Sequence, residues 1–113
     1  MKSTRRGQTR RSKYGNVKTE VDGILFDSMR EANRYGELKL LQKARHIRSL
    51  EMQPVFDLDV NGQRICRYRG DFKYYDVAKK DWVIEDCKGV RTPAYVLKRK
   101  LVKAIYDIDI QEL

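Results

Sequence analysis

Residues 82–89 read Trp82-Val83-Ile84-Glu85-Asp86-Cys87-Lys88-Gly89. An aromatic residue and two β-branched ones open the run and a glycine closes it, which predicts a strand over Trp82–Lys88. Strand side chains alternate between faces. Asp86 and Lys88 therefore share one face, and Glu85 and Cys87 the other. A carboxylate and an ammonium two apart at a strand end can reach one phosphate. The carboxylate suits a divalent cation, and the ammonium can stabilise developing negative charge or orient an attacking water. Acid-x-Lys is common by chance, and the bland alternative is a surface ion pair.

Upstream, Val55–Val60 reads as a strand and Asn61-Gly62 as a hairpin turn, since both residues tolerate positive φ. The returning strand covers about Gln63–Tyr75, with Gly70 a bulge or bend. Ala78–Asp81 is a polar turn, which makes the strands on either side of it natural partners. Asp71 follows Gly70 and falls beside Asp86 in such a hairpin. Two carboxylates that close repel unless a cation neutralises them, and a hard ion with oxygen ligands, chiefly Mg²⁺, is the simplest resolution. The alternative for Asp71 is a turn residue at the bend.

Downstream, Thr92-Pro93 has the form of an N-cap and first helical position. The spacing of Val96, Leu97, Leu101, Ala104 and Ile105 predicts a helix over about Pro93–Tyr106, and Ile108 and Ile110 alternate in a last strand. Nearer the start, Val17–Phe26 reads as a hairpin turning at Asp22-Gly23. Asp27-Ser28 opens a helix to about Ala44, and 47–54 is a connection ending in Gln53-Pro54. This order predicts a mixed α/β chain, a central sheet with helices on its faces.

Three groups of side chains join the candidates. Ser28-x-x-Glu31 is a capping box. Glu31 also lies four residues before Tyr35 and seven before Leu38, on the helix's apolar side, where a carboxylate needs a partner. A metal shared with Asp71 and Asp86 would supply one. Lys98, Arg99 and Lys100 sit on the second helix, close after the acid-bearing strand, and are phosphate-contact candidates, Lys98 first. Gln53 could point into the site or simply serve a loop. Tyr68, Tyr74, Tyr75 and Trp82 read as core or sheet-face residues, and His46 as a helix-end residue.

The 113 residues suggest one domain, and 41% hydrophobic content allows a modest core. Net charge is +9, and residues 1–13 hold six of the 25 Lys and Arg with no acid. That stretch reads as a disordered basic arm, with 14–113 as the folded domain. Arg5, Arg6, Arg10, Arg11 and Lys13 would give it salt-sensitive affinity for phosphate. Cys66 and Cys87 lack CxxC spacing and His46 is the sole histidine, which excludes a conventional zinc finger. A reducing, cytoplasmic setting fits. No run of about 18 apolar residues is present, so no membrane partner is expected.

Helix Glu31, then Gln53-Pro54, then Gly70-Asp71, then Asp86-Cys87-Lys88 resembles the motif order of the PD-(D/E)XK phosphodiesterase superfamily, in particular its small phage- and prophage-encoded nucleases. The resemblance covers about residues 14–113, with Gly70 where the superfamily name has Pro. It implies a three-layer αβα restriction-endonuclease-like core around a central mixed sheet. It also implies hydrolysis of DNA phosphodiester bonds with Mg²⁺ or Mn²⁺, in the host cytoplasm if phage-encoded. Glu31, Asp71, Asp86 and Lys88 would take the catalytic positions. Asp71, Asp86, Cys87 through its carbonyl, and Glu31 would hold the metal. Alternatives are a structure-selective, Holliday-junction-type resolvase acting as a homodimer, and a non-catalytic DNA-binding or replication accessory protein that keeps the fold.

Overall fold

The computed structural model describes residues 10–11, 17–87 and 90–113. Arg5, Arg6, Lys13 and Lys88 lie outside the described residues, as does most of the expected arm. The chain divides into two compact units, Met1–Leu40 and Leu41–Leu113.

In the first unit, β1 (Arg10–Arg11), β2 (Val17–Val21) and β3 (Ile24–Phe26) form an antiparallel sheet in that order. The expected hairpin turns at Asp22-Gly23, both at positive φ. Helix α1 (Met29–Lys43) follows, and its last three residues belong to the second unit. Its N-terminal turn carries a capping box variant. Ser28 Oγ accepts the Glu31 N–H at 3.1 Å, and a Glu31 carboxylate oxygen accepts the Asp27 N–H at 3.3 Å. Glu31, Ala32, Tyr35 and Leu38 form the helix's buried stripe.

In the second unit, β4 (Ile47–Met52), β5 (Val55–Val60), β6 (Gln63–Arg69), β7 (Phe72–Asp76), β8 (Asp81–Asp86), α2 (Pro93–Tyr106) and β9 (Ile110–Glu112) succeed one another. Four strands form a mixed sheet ordered β4-β7-β8-β9, antiparallel except for the parallel β8–β9 pair. Strands β5 and β6 form a separate two-stranded sheet, closed by Asn61-Gly62 with both residues at positive φ. The described residues are mixed α/β, with two helices and more strands than the sequence predicts.

Two expectations need correction. The connection expected over 47–54 is largely strand β4. Its apolar residues do not alternate because a bulge at Ser49, held at φ 59, shifts register between Arg48 and Glu51. There the Leu50 N–H leaves the ladder for the Gln42 side-chain carbonyl at 2.9 Å. The single strand expected over 63–75 is two, in different sheets. At the break the Gly70 N–H bonds to the Pro54 carbonyl and the Asp71 N–H to the Glu85 carbonyl, each at 3.0 Å.

Helix α2 begins where Thr92-Pro93 predicts it. Thr92 Oγ1 accepts the Tyr95 N–H at 3.1 Å, and Asp107 closes the helix in the left-handed region. Tyr95 and Val102 pack with Phe56, Leu58, Tyr68, Ile84 and Ile110 into a core. Each large apolar side chain buried this way contributes about 1.5–3 kcal/mol. The packing fixes α2 and the β5–β6 hairpin over the Ile84 face of β8, the face that also carries Asp86.

Candidate active site

Strand β8 is buried on both faces from Val83 to Asp86. Asp86, 3% exposed, ends it, and Tyr68 on β6 donates its hydroxyl to Asp86 Oδ2 at 2.6 Å. Gly70 leaves room for the contact. A Cβ there would stand 3.1 Å from an Ile84 methyl and 3.3 Å from the Tyr68 hydroxyl.

Asp71 sits one residue before β7, against the same end of β8, and its Oδ2 accepts the Cys87 N–H at 2.6 Å. The charges of Asp86 and Asp71 both act on the Tyr68 hydroxyl. Together with burial, the largest cause, they push its pKa well above the ordinary tyrosine value, so the hydroxyl stays a donor. The two acids that the sequence places side by side are thus brought together at one end of β8, each accepting a hydrogen bond from the protein.

Glu112 is a third acid of this region that sequence reasoning missed. It pairs with Asp86 across the parallel β8–β9 ladder and so shares its face. One Glu112 oxygen accepts the Tyr95 hydroxyl at 2.7 Å and lies 3.2 Å from Arg91 Nε and 3.3 Å from Arg99 Nη1. The Tyr95 bond first, then the two arginines, hold the Glu112 carboxyl below the usual carboxylate range. Burial and the Glu112 bond in turn raise the Tyr95 hydroxyl. A signal for Glu112 was present, because Ile110 faces inward and period two carries 112 to the same side. Tyr68 is a core residue as expected, and Tyr95 is buried beside it rather than set out on the helix surface with Lys98 and Arg99; a buried phenol needs a partner where Phe would not.

Next to Tyr68 and Tyr95 opens a cavity of about 510 Å³, walled also by Arg67, Arg69, Lys98 and Thr92. Arg67 is ion-paired with Asp57. Among the described residues, Arg69 and Lys98 make no ion pair with an acid. Lys98 thus lines the cavity, Arg99 is engaged with Glu112, and Lys100 is exposed on α2. Gln53 serves the site through its backbone, its N–H bonding to the Asp71 carbonyl at 2.9 Å, while its side chain is exposed. Glu31 lies in the first unit with the capping contacts given above.

Among the described residues no three His, Cys, Asp or Glu side chains gather into a metal-binding group. The oxygen donors present are the neighbouring carboxylates of Asp71 and Asp86. That oxygen-rich set suits Mg²⁺, which is typically held by one or two carboxylates and keeps several of its waters.

The chain belongs to a family described as a protein of unknown function (DUF1064), whose model matches residues 11–111. No curated protein and no solved structure matches it. No helix among the described residues is long and apolar enough to cross a membrane.

Proposed function

We propose that this chain is a metal-dependent endonuclease that hydrolyses DNA phosphodiester bonds, built on the three-layer restriction-endonuclease-like core that its motif order implies. The observation that carries the reading is the adjacency of Asp71 and Asp86 beside a cavity walled by Arg69 and Lys98, which pair with no acid among the described residues. Acids packed together are costly for a protein that merely binds phosphate, whereas acids next to cations suit one that hydrolyses it.

In this reading Asp71, Asp86 and the Cys87 carbonyl hold Mg²⁺ or Mn²⁺. The ion, when bound, neutralises charge on the phosphate and activates water. Arg69 and Lys98 hold the phosphate chain as positioning contacts. The Tyr68 hydroxyl fixes the rotamer of Asp86 and so the direction in which its carboxylate is presented. Lys88 stabilises the negative charge that develops in the transition state.

The test is cleavage of supercoiled plasmid and of branched DNA with Mg²⁺, Mn²⁺ or EDTA, by the native chain, Asp86→Asn and Lys88→Ala. Nicking that needs the ion and is lost in both variants is expected. No cleavage under any condition, or equal cleavage by the variants, overturns the proposal. Faster cleavage of branched than of linear DNA would mark a junction-selective enzyme.

A further inference from the structure

At the end of the sheet away from Asp86, the ladder places Arg48, Tyr75 and Trp82 in one row across β4, β7 and β8. Residues paired across a ladder share a face, and the contacts agree. The Arg48 guanidinium lies 4.5 Å from the Tyr75 ring centre, and the Tyr75 and Trp82 rings meet edge to face at 5.4 Å. Lys73, two residues along β7, holds its ammonium 4.8 Å from the Trp82 ring and 5.9 Å from that of Phe56.

A tryptophan serving a core would be buried, yet Trp82 is 43% exposed and Arg48 is exposed beside it. Acids are kept off the row. Asp76 and Asp81 alternate to the opposite face, and each caps a turn backbone N–H, of Lys79 and of Trp82. Glu51 stands opposite Lys73 but forms no ion pair with it. Aromatic faces interleaved with cations bind unpaired bases, because every base has a π-face and every linkage a charge. A duplex keeps its bases stacked inside and offers such a row only phosphates.

We propose that Arg48, Tyr75, Trp82 and Lys73 form a stacking platform for single-stranded nucleic acid. The proposal rests on the nuclease reading for the kind of polymer bound. It deepens that reading by naming an unpaired segment as part of the substrate. Trp82 and Asp86 are four residues apart on β8, about 13 Å, with the core around the buried Ile84 between them, so a strand held at the acids reaches the row by passing around that packed layer.

Trp82 is the only tryptophan in the chain, so intrinsic emission reports this row alone. The experiment is titration of the full chain in EDTA with oligothymidylate and with a duplex of equal length, following both tryptophan emission and the anisotropy of labelled DNA. Oligothymidylate should quench the emission and the duplex should not. Trp82→Ala should weaken oligothymidylate binding about 5- to 150-fold, the equivalent of about 1–3 kcal/mol, with duplex binding unchanged. Arg48→Ala should weaken it less, in a background that keeps the tryptophan signal. Oligothymidylate that binds without altering the emission, fails to bind, or binds Trp82→Ala as well as native protein overturns the platform. Binding in EDTA needs no cleavage, so failure here and failure of the nuclease reading are separate results.

Discussion

Glu85 and Asp86 are consecutive, both are buried, and each accepts a tyrosine hydroxyl, from Tyr74 and from Tyr68. They point to opposite faces of β8. Glu85, 1% exposed, stands across the ladder from Phe72, on the side of the buried Val83 and Tyr74. Asp86 has Asp71 beside it and Glu112 across the ladder, and its tyrosine walls a cavity lined with cations. Burial with a phenol donor satisfies a carboxylate and suffices for the fold. A second carboxylate and an opening toward cations are what hydrolysis would require. The local chemistry of the two acids is alike, and their surroundings separate an acid that serves the fold from the one that the proposed hydrolysis would use.

The sharpest way to break this contrast is to neutralise each acid in turn. Asp86→Asn should lower the rate of DNA cleavage about a thousandfold with Mg²⁺ present. Glu85→Gln should change that rate less than about tenfold and lower the melting temperature instead, because it disturbs a buried bond to Tyr74. Comparable loss of cleavage in the two variants would erase the distinction.

Removing the phenol oxygens sharpens it further. Tyr68→Phe should cost about 10- to 100-fold in cleavage or in metal affinity, as loss of a residue that orients a metal ligand does, and more Mg²⁺ should recover part of the rate. Tyr74→Phe should leave cleavage within about twofold. Both should lower stability in urea by about 1–3 kcal/mol, so a purely structural role for Tyr68 would make the two alike in every assay.

The smallest effect is alkaline. The folded chain raises the Tyr68 pKa, so above the ordinary tyrosine value near 10 the unfolded chain loses this proton first. Folding stability from this group is therefore complete below about pH 10 and falls above it, by up to about 1.4 kcal/mol per pH unit. Tyr68→Phe should flatten the alkaline limb of stability measured in urea. An unchanged limb would mean that Tyr68 does not remain protonated while the fold holds.

The parts legible in the sequence are those governed by local chemistry. Asn61-Gly62 fixed a hairpin and Thr92-Pro93 a helix start, because each acts on its own backbone. Period two separated Asp86 from Glu85 for the same reason. What escaped depends on distant partners. Strand β4 hides behind its bulge at Ser49 and the Gln42 bond to Leu50. The break at Gly70 is set by bonds to Pro54 and Glu85. Glu112 joins the acids only through a parallel pairing that requires α2 to cross between the strands. Ser28-x-x-Glu31 was legible as a cap, and the capping contacts form.

That parallel pairing also orders assembly in time. Strands β7 and β8 are joined by a short turn, and hairpins close in about 1–10 μs. Strand β9 can dock only after α2 has formed and carried the chain back across the sheet. During synthesis Asp71 and Asp86 therefore meet while the far edge of β8 still shows unpaired peptide groups. An uncovered edge is a template for another chain, and docking of Ile110–Glu112 covers that of β8 and leaves as the new edge a strand of only three residues. The strand that brings Glu112 beside Asp86 is thus also the one that protects a nascent molecule from its neighbours.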